Sequence, residues 1–215
     1  VSHNMPAITR LCQRAILLDE GIVMQDGLSY KVVSKYLNSE VDTTAMRSWD
    51  DVTKAPGDDV VRLRSVQVRN KEGQITDSVD ISEPTWIDIE YDVFQPGHIC
   101  VPYSAIYNEE RLSVFNTFDL DPAWRRKPRP TGRYVSTFQI PGNFLSEGRL
   151  FFHIAIWTFT PNFRDYFYEK DVVSFNVVDN CDGNTARGDY MGKMGGVVRP
   201  LLNWSTRFNT LKKKI

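Results

Sequence analysis

Apolar side chains alternate with polar ones along most of the chain from residue 60 onward. This period of two is typical of a strand that turns one face toward a core. The predicted strands are 60–69, 75–80, 85–94, 99–108, 112–119, 133–140, 149–158, 166–178 and 196–204. Turn-forming residues separate them and no helical pattern intervenes, so the chain is predicted to be mainly β. The architecture that this favours is an immunoglobulin-like antiparallel β-sandwich.

The first 40 residues follow a different pattern. Ile8, Leu11, Cys12 and Ala15 recur at helical spacing, and two short apolar runs around Gly21 predict a hairpin. A second helical face is predicted within 29–39. Four regions follow from these changes of pattern. They are a short α/β segment at 1–40, a polar linker at 41–58, the sandwich at 59–206 and a tail at 207–215.

The composition argues against several classes of function. The chain has 215 residues, with 26 basic and 27 acidic side chains, and lacks the basic excess of a nucleic-acid binder. The three cysteines, Cys12, Cys100 and Cys181, form no CxxC pair. We therefore expect no metal site and no disulfide framework, which suits a reducing compartment. No apolar run reaches the length of about 18 residues that a membrane-spanning helix needs.

Two strings near the start, VSHNM at 1–5 and LCQRAILLDEG at 11–21, resemble the last part of an ABC-transporter nucleotide-binding domain. The resemblance implies that His3 is the switch histidine that reaches the ATP γ-phosphate, and that Asp26-Gly27 is the turn after it. The alternative is that His3 is an ordinary terminal histidine.

No GxxxxGK[ST] phosphate loop occurs in the chain, so His3 would be the remnant of a site whose other parts lie elsewhere. We therefore expect no enzyme activity and no cofactor in this fragment. ATP and Mg²⁺ would belong to the parent subunit.

The β-region resembles the ATP-binding subunits of O-antigen polysaccharide exporters, the Wzt family. The strings that carry this resemblance are VRLRSVQVRNKEG at 61–73, WIDIEYDV at 86–93, IPGNFLSEG at 140–148 and GGVVRPLLNW at 195–204. It implies a carbohydrate-binding domain that recognises the non-reducing, capped terminus of a lipopolysaccharide O-antigen, so that only finished polymer is exported.

The resemblance also implies a homodimer that works with the transmembrane subunit of the transporter. Its expected location is the cytoplasm, peripheral to the inner membrane. The alternative function is a structural domain that only dimerises the transporter subunit. A glycine-rich stretch before 196–204 would allow the last strand to pair with a second subunit.

Sugar binding needs exposed rings for the apolar face of the sugar and polar groups for its hydroxyls. Strand 149–158 is predicted to turn His153 and Trp157 away from the core, and strand 99–108 to add Tyr103 and Tyr107 to the same face. These four residues are the first candidate site. The alternative is that the rings serve core or dimer packing.

A second candidate is the loop 121–129, where Trp124 stands beside Arg125 and Arg126. Arginine matches a carboxylate or phosphate, so this loop would suit an acidic cap. The alternative is a solvated basic loop.

Strand 86–93 carries Asp88, Glu90 and Asp92 on one face. Acids at alternate positions of one strand project side by side and do not face each other across a scissile bond, so we do not predict a glycosidase.

Overall fold

A computed structural model describes residues 8, 11–29, 32–33, 36, 45–190, 192 and 194–209. The predicted switch histidine His3 lies outside these residues, as does most of the tail predicted at 207–215.

A two-stranded hairpin forms where the early apolar runs predict it. Strand β1 covers Arg14–Asp19 and strand β2 covers Ile22–Leu28, and they pair antiparallel. Glu20 and Gly21 make the two-residue turn with φ of 46° and 84°. Positive φ at both positions is the geometry that closes such a hairpin and favours glycine. Arg14 ties the two strands together through an ion pair with Asp26.

The larger of two further sheets has five strands in the order β5-β11-β10-β7-β8. Its members are β5 (Ser78–Asp80), β7 (Val101–Asn108), β8 (Ser113–Phe118), β10 (Gly148–Thr158) and β11 (Arg164–Val178). β5 pairs parallel to β11, and the other neighbours are antiparallel. β10, which corresponds to the predicted strand 149–158, lies between β7 and β11.

The smaller sheet has four antiparallel strands in the order β3-β4-β6-β9. Its members are β3 (Met46–Ser48), β4 (Val61–Arg69), β6 (Thr85–Val93) and β9 (Gly132–Ile140).

One hydrophobic core joins the two sheets. β6 contributes every second side chain, and β10 and β11 supply facing residues from the larger sheet. The buried side chains include Ile87, Ile89, Tyr91, Phe152, Ile154 and Phe175. Burial of this apolar surface is the main stabilising contribution to the fold. The predicted mainly β, antiparallel sandwich is confirmed.

Two local predictions differ from the structure. The segment 196–204 forms no strand: Val198 makes a single bridge to Leu145, and Arg199 N–H donates to the Phe144 carbonyl at 2.8 Å. Pro200 has no N–H, which interrupts a ladder at that point. Conversely, β3 lies within the range predicted as a linker. All three of its side chains are exposed, so it carries no apolar alternation, and backbone pairing with β4 holds it.

The segment after β11 is anchored by buried ion pairs. The Arg187 guanidinium donates to Glu147 at 2.6 Å and to Asp179 at 3.1 Å. Arg199 also contacts Glu147. The two arginine side chains are 1% and 4% exposed. Two arginines on one glutamate explain how a chain with little regular structure keeps a fixed path against the sandwich.

Candidate functional site

The two faces of β10 differ as the alternation predicts. Leu150, Phe152, Ile154 and Ile156 enter the core. On the opposite, outer face of the five-stranded sheet, Ala155 lies across from Tyr103, and Phe151 lies across from Tyr107. The structure thus brings together all four residues of the first candidate site, Tyr103, Tyr107, His153 and Trp157.

Ring contacts tie these side chains into a packed layer. Trp157 stacks on Tyr103 with centroids 4.2 Å apart, and Tyr107 lies 4.4 Å from His153. Beneath the rings, Ala155 is fully buried, and its small side chain leaves them room. Tyr103 and His153 are only 8% exposed each, whereas Tyr107 and Trp157 are half-buried. The sequence predicts four exposed rings, but two of them, Tyr103 and His153, are buried and support the rings above them.

Three phenylalanines that are absent from the predicted site extend this layer into solvent. Phe118, Phe159 and Phe163 are 39%, 51% and 61% exposed. Their centroids lie 5.8, 6.4 and 5.7 Å from that of Trp157. We call Phe118, Trp157, Phe159 and Phe163 the aromatic patch. Exposed rings in contact with one another are uncommon on a surface without a binding role.

Sequence signals for the missed residues exist. Phe118 is the cross-strand partner of Tyr103 and therefore shares its face. Phe159 and Phe163 flank the turn that directly follows Trp157 in β10. The sequence signal for Phe159 and Phe163 is therefore their position at the turn that follows a strand with outward-facing rings.

Polar contacts hold the base of the layer. His153 Nδ1 lies 2.9 Å from the Tyr168 hydroxyl, and its Nε2 lies 3.2 Å from Asp171 Oδ1. Arg111 pairs with the same carboxylate at 2.7 Å. Burial lowers the pKa of His153, although Asp171 acts against this shift. Burial, together with Tyr107, raises the pKa of Tyr168 to about 12. His153 is therefore mainly neutral near pH 7 and has a supporting role.

The second candidate site divides into an inner and an outer part. Trp124 is half-buried and meets Tyr134 edge to face at 5.2 Å. Arg125 and Arg126 are exposed, and neither forms an ion pair with any residue that the structure describes. Arg126 has a φ of 60°, in the left-handed region. The two guanidinium groups are therefore available to an anion.

Arg129, from the same basic run, has a structural position. It is 3% exposed, donates through Nε to the Cys100 carbonyl at 3.0 Å and pairs with Asp119 at 3.1 Å. Its guanidinium also lies over the ring of Trp124 at 5.3 Å and over the ring of Tyr134 at 5.0 Å. These contacts fix the loop, so the sequence run contains one structural and two solvent-facing arginines.

Two open grooves flank the segment 118–120. The loop groove has a volume of about 350 Å³, and Trp124, Arg125, Arg126 and Phe159 line it. The inter-sheet groove has a volume of about 310 Å³ and opens between the two sheets beside β8 and β9; Ser104, Thr117, Asp121, Ser136 and Phe138 line it. Phe118, Asp119 and Leu120 belong to both grooves. The aromatic patch and the two exposed arginines, Arg125 and Arg126, are therefore parts of one continuous surface.

The acidic face of β6 lies on the other sheet and is neutralised by arginines. Asp88 accepts hydrogen bonds from Arg69 at 2.8 Å and from Thr137 at 2.7 Å. Arg133 binds Asp92 at 2.7 Å. Burial works to raise the pKa of Asp88, but hydrogen bonds from Arg69, Gln67 and Thr137 outweigh it and hold the pKa below its usual range. A general acid would need the opposite shift.

Among the residues described, no helix is both long and apolar enough to span a bilayer. Nor do they contain a cluster of three histidine, cysteine or acidic side chains with the arrangement of a metal site.

Comparison with known proteins gives a likeness of fold. No family profile matches the sequence, and none of the curated proteins matches it significantly. Among solved structures, the chain is similar to the C-terminal domain of Wzt, with a TM-score of 0.53 and 13% identity. The match covers 71% of this chain and 86% of that one.

Two further likenesses are too weak to indicate a shared fold. One is to a putative beta-galactosidase from Bacteroides fragilis, with a TM-score of 0.29 and 16% identity over 63% of this chain and 17% of that chain. The other is to Northeast Structural Genomics Consortium target SoR45, with a TM-score of 0.26 and 12% identity over 57% of this chain and 88% of that chain. At 13% identity, the likeness to the Wzt domain shows a similar fold and no more.

Proposed function

We propose that this chain binds the non-reducing, capped end of an O-antigen glycan and thereby lets an ABC exporter transport only finished polymer. The observation that carries the proposal is the aromatic patch, which adjoins a groove lined by two exposed arginines that form no ion pair with the described residues. The likeness of fold to the C-terminal domain of Wzt agrees with it. The role is binding without catalysis.

The patch suits the apolar face of a sugar ring. Phe159 and Phe163 lose solvent contact when a ring lies on them, and full burial of an aromatic side chain is worth roughly 1.5–3 kcal/mol. After the cost of ordering the ligand, two or three such contacts correspond to dissociation constants of about micromolar to millimolar. Weak binding suits a step that must release its cargo.

The loop groove suits an anionic cap. Arg125 and Arg126 are exposed beside the half-buried Trp124, and a planar guanidinium binds a carboxylate or phosphate through two parallel hydrogen bonds. The cap of the preferred glycan is therefore acidic.

Calorimetric titration of the 215-residue chain tests this function. The probes are defined oligosaccharides, each prepared with a free, a phosphorylated or a carboxylated terminus. We expect measurable affinity for at least one acidic terminus, with Phe163→Ala weakening it at least fivefold. Phe94→Ala removes an exposed phenylalanine outside the patch and both grooves, and it should bind like the wild type. Equal binding by both variants, or none by the wild type across the set, would reject the proposal.

Dimerisation is a second candidate function, and a separate observation favours it. After the bridge at Val198 the chain continues without regular structure, and Leu201, Leu202, Trp204 and Phe208 are 51%, 61%, 90% and 87% exposed. Apolar side chains in one extended segment suit burial against a second subunit. We propose that this segment contributes to a homodimer.

Light scattering tests the dimer directly. The wild-type chain should have twice the monomer mass, and Trp204→Ser with Phe208→Ser should shift it toward the monomer. The same variant should keep its affinity per site for the glycan probe. A wild-type monomer at high concentration would count against this second role.

In the complete exporter, the partners that we propose are the polysaccharide, a second copy of the chain and the transmembrane subunit. ATP and Mg²⁺ would bind to the parent subunit. The site of action would be the cytoplasmic face of the inner membrane.

A further inference from the structure

We propose that the inter-sheet groove is a second subsite, which holds an uncharged sugar unit adjacent to the terminal unit and recognises its hydroxyls through Ser104 and Asp119. This inference rests on the proposed glycan binding. It adds that the protein contacts two adjacent sugar units and that the inner unit is uncharged.

Ser104 supplies the first observation. Its side chain leaves β7 on the inner side of the sheet and lines the groove, and the residue is 1% exposed. Its Oγ has no hydrogen-bond partner in the part of the chain that the structure describes. A buried hydroxyl without a partner is costly and uncommon in folded proteins. A ligand hydroxyl in the groove would satisfy it.

Asp119 supplies the second. Its Oδ2 accepts hydrogen bonds from Arg129 at 3.1 Å and from Ser136 at 2.8 Å, and its Oδ1 accepts the Asp121 N–H at 3.0 Å. A carboxylate has about four acceptor positions, so three protein donors leave one for a ligand. The three donors also fix the orientation of the group, which lowers the ordering cost of binding.

The charges of the two grooves are opposite. Asp119 lines both grooves and is paired with Arg129, whereas the exposed Asp121 lines the inter-sheet groove alone, and none of the described residues that line that groove is cationic. The loop groove carries Arg125 and Arg126. An anionic group is therefore repelled from the first groove and attracted to the second. Hydroxyls donate readily to carboxylates, so the first groove favours a neutral, hydroxyl-rich unit.

Size and position point to adjacent units of one chain. A volume of about 310 Å³ is at the lower end of the ligand-site range of about 300–1,000 Å³, which suits a single sugar ring. Phe118, Asp119 and Leu120 form a wall common to both grooves. A terminal acidic unit in the loop groove would place its neighbour beside this wall, with Phe118 between the two rings.

Paired calorimetric titrations test the subsite. The probes are a terminally phosphorylated monosaccharide and the corresponding disaccharide, whose inner unit is neutral. Wild-type protein should bind the disaccharide at least tenfold more tightly. Ser104→Val, which replaces the hydroxyl by methyl groups, should reduce this ratio to about one while leaving the monosaccharide affinity unchanged. Ser113→Val changes an exposed serine of β8 and should keep the wild-type ratio.

A second variant guards against misfolding. Thr117→Val keeps the shape of a half-buried lining residue but loses its hydroxyl, and we expect a threefold or larger reduction of the ratio. A wild-type ratio near one, or unchanged ratios in both folded variants, would overturn the subsite while glycan binding through the patch stands. Absence of binding for both probes, with binding absent across the wider oligosaccharide set, would remove the proposed function as well.

Discussion

The indole ring of Trp157 lies nearly parallel to the phenol ring of Tyr103, at a centroid distance of 4.2 Å and an interplanar angle of 20°. Tyr103 is buried, and burial raises the pKa of its hydroxyl. Trp157 is half-buried and contacts all three exposed phenylalanines. Tyr103, which is fixed on β7, therefore holds the Trp157 ring in position at the base of the aromatic patch.

Removal of this support should weaken binding without direct loss of a ligand contact. We expect Tyr103→Leu to lower the free energy of unfolding by about 1–3 kcal/mol and to weaken glycan binding three- to tenfold. Near-ultraviolet circular dichroism should show a weaker tryptophan signal, because Trp157 is one of five tryptophans. Tyr103→Phe is the matched control, because it keeps the ring. Unaltered binding by a folded Tyr103→Leu protein would show that the stack does not position Trp157 for the ligand.

Glu147 should be among the most sensitive positions for stability. Its carboxylate contacts both buried arginines, Arg187 and Arg199. Glu147→Gln would leave two buried cations with reduced compensation, and breaking such a pair costs about 3–5 kcal/mol. Urea unfolding would measure the loss. Lys71→Met removes the exposed pair with Glu83 and should leave the urea midpoint close to that of the wild type. Equal effects of the two variants would contradict the structural role of the buried network.

The sandwich was predictable because apolar residues recur with a period of two in several of its strands. β6 and β10 place every second side chain in the core, and this pattern determines which face is buried. β3 was not predicted, because an exposed edge strand is held by backbone pairing alone and so needs no alternation of apolar residues. The segment 196–204 was wrongly predicted as a strand because it is rich in apolar residues, although these stand in adjacent pairs and do not alternate. Pro200 and the ion pair of Arg199 determine its actual path.

The candidate site was predictable in outline only. Parity along β7 and β10 gives the shared face of Tyr103, Tyr107, His153 and Trp157, because register follows from strand pairing. Exposure does not follow from parity: Tyr103 and His153 are buried by their neighbours. Basic residues likewise look alike in sequence, although Arg129 is buried against Asp119 while Arg125 and Arg126 are exposed.

Asp88 should give the protein an acid-sensitive component of stability. The folded-state pKa lies below that of an unfolded aspartate, about 3.9, so the contribution is present above that pH and is lost as pH falls through the folded-state pKa. We expect Asp88→Asn to cost about 2–4 kcal/mol at pH 7 and progressively less below pH of about 4. Unfolding by urea at several pH values measures this. Asp189→Asn, at an exposed position, should leave stability within about 0.5 kcal/mol of wild type at pH 7. A constant deficit of Asp88→Asn at all pH values would contradict the ion-pair account.

His153 should produce a second acid transition at milder pH. The side chain packs between Tyr107 and Tyr168, faces Asp171, and lies within the electrostatic influence of Lys170 and Arg111. Burial lowers its pKa in the folded state, so the unfolded chain binds a proton first, near pH of about 6.5. Stability is therefore complete above that pH and decreases as pH falls toward the folded-state pKa. In His153→Gln the slope of the unfolding free energy between pH of about 5 and 7 should be smaller than in wild type. Histidine C–H resonances, followed by NMR during titration, should show an acid-shifted midpoint that the variant lacks. A midpoint at or above about 6.5 would mean that Asp171 outweighs burial and that the imidazole is charged under the aromatic layer.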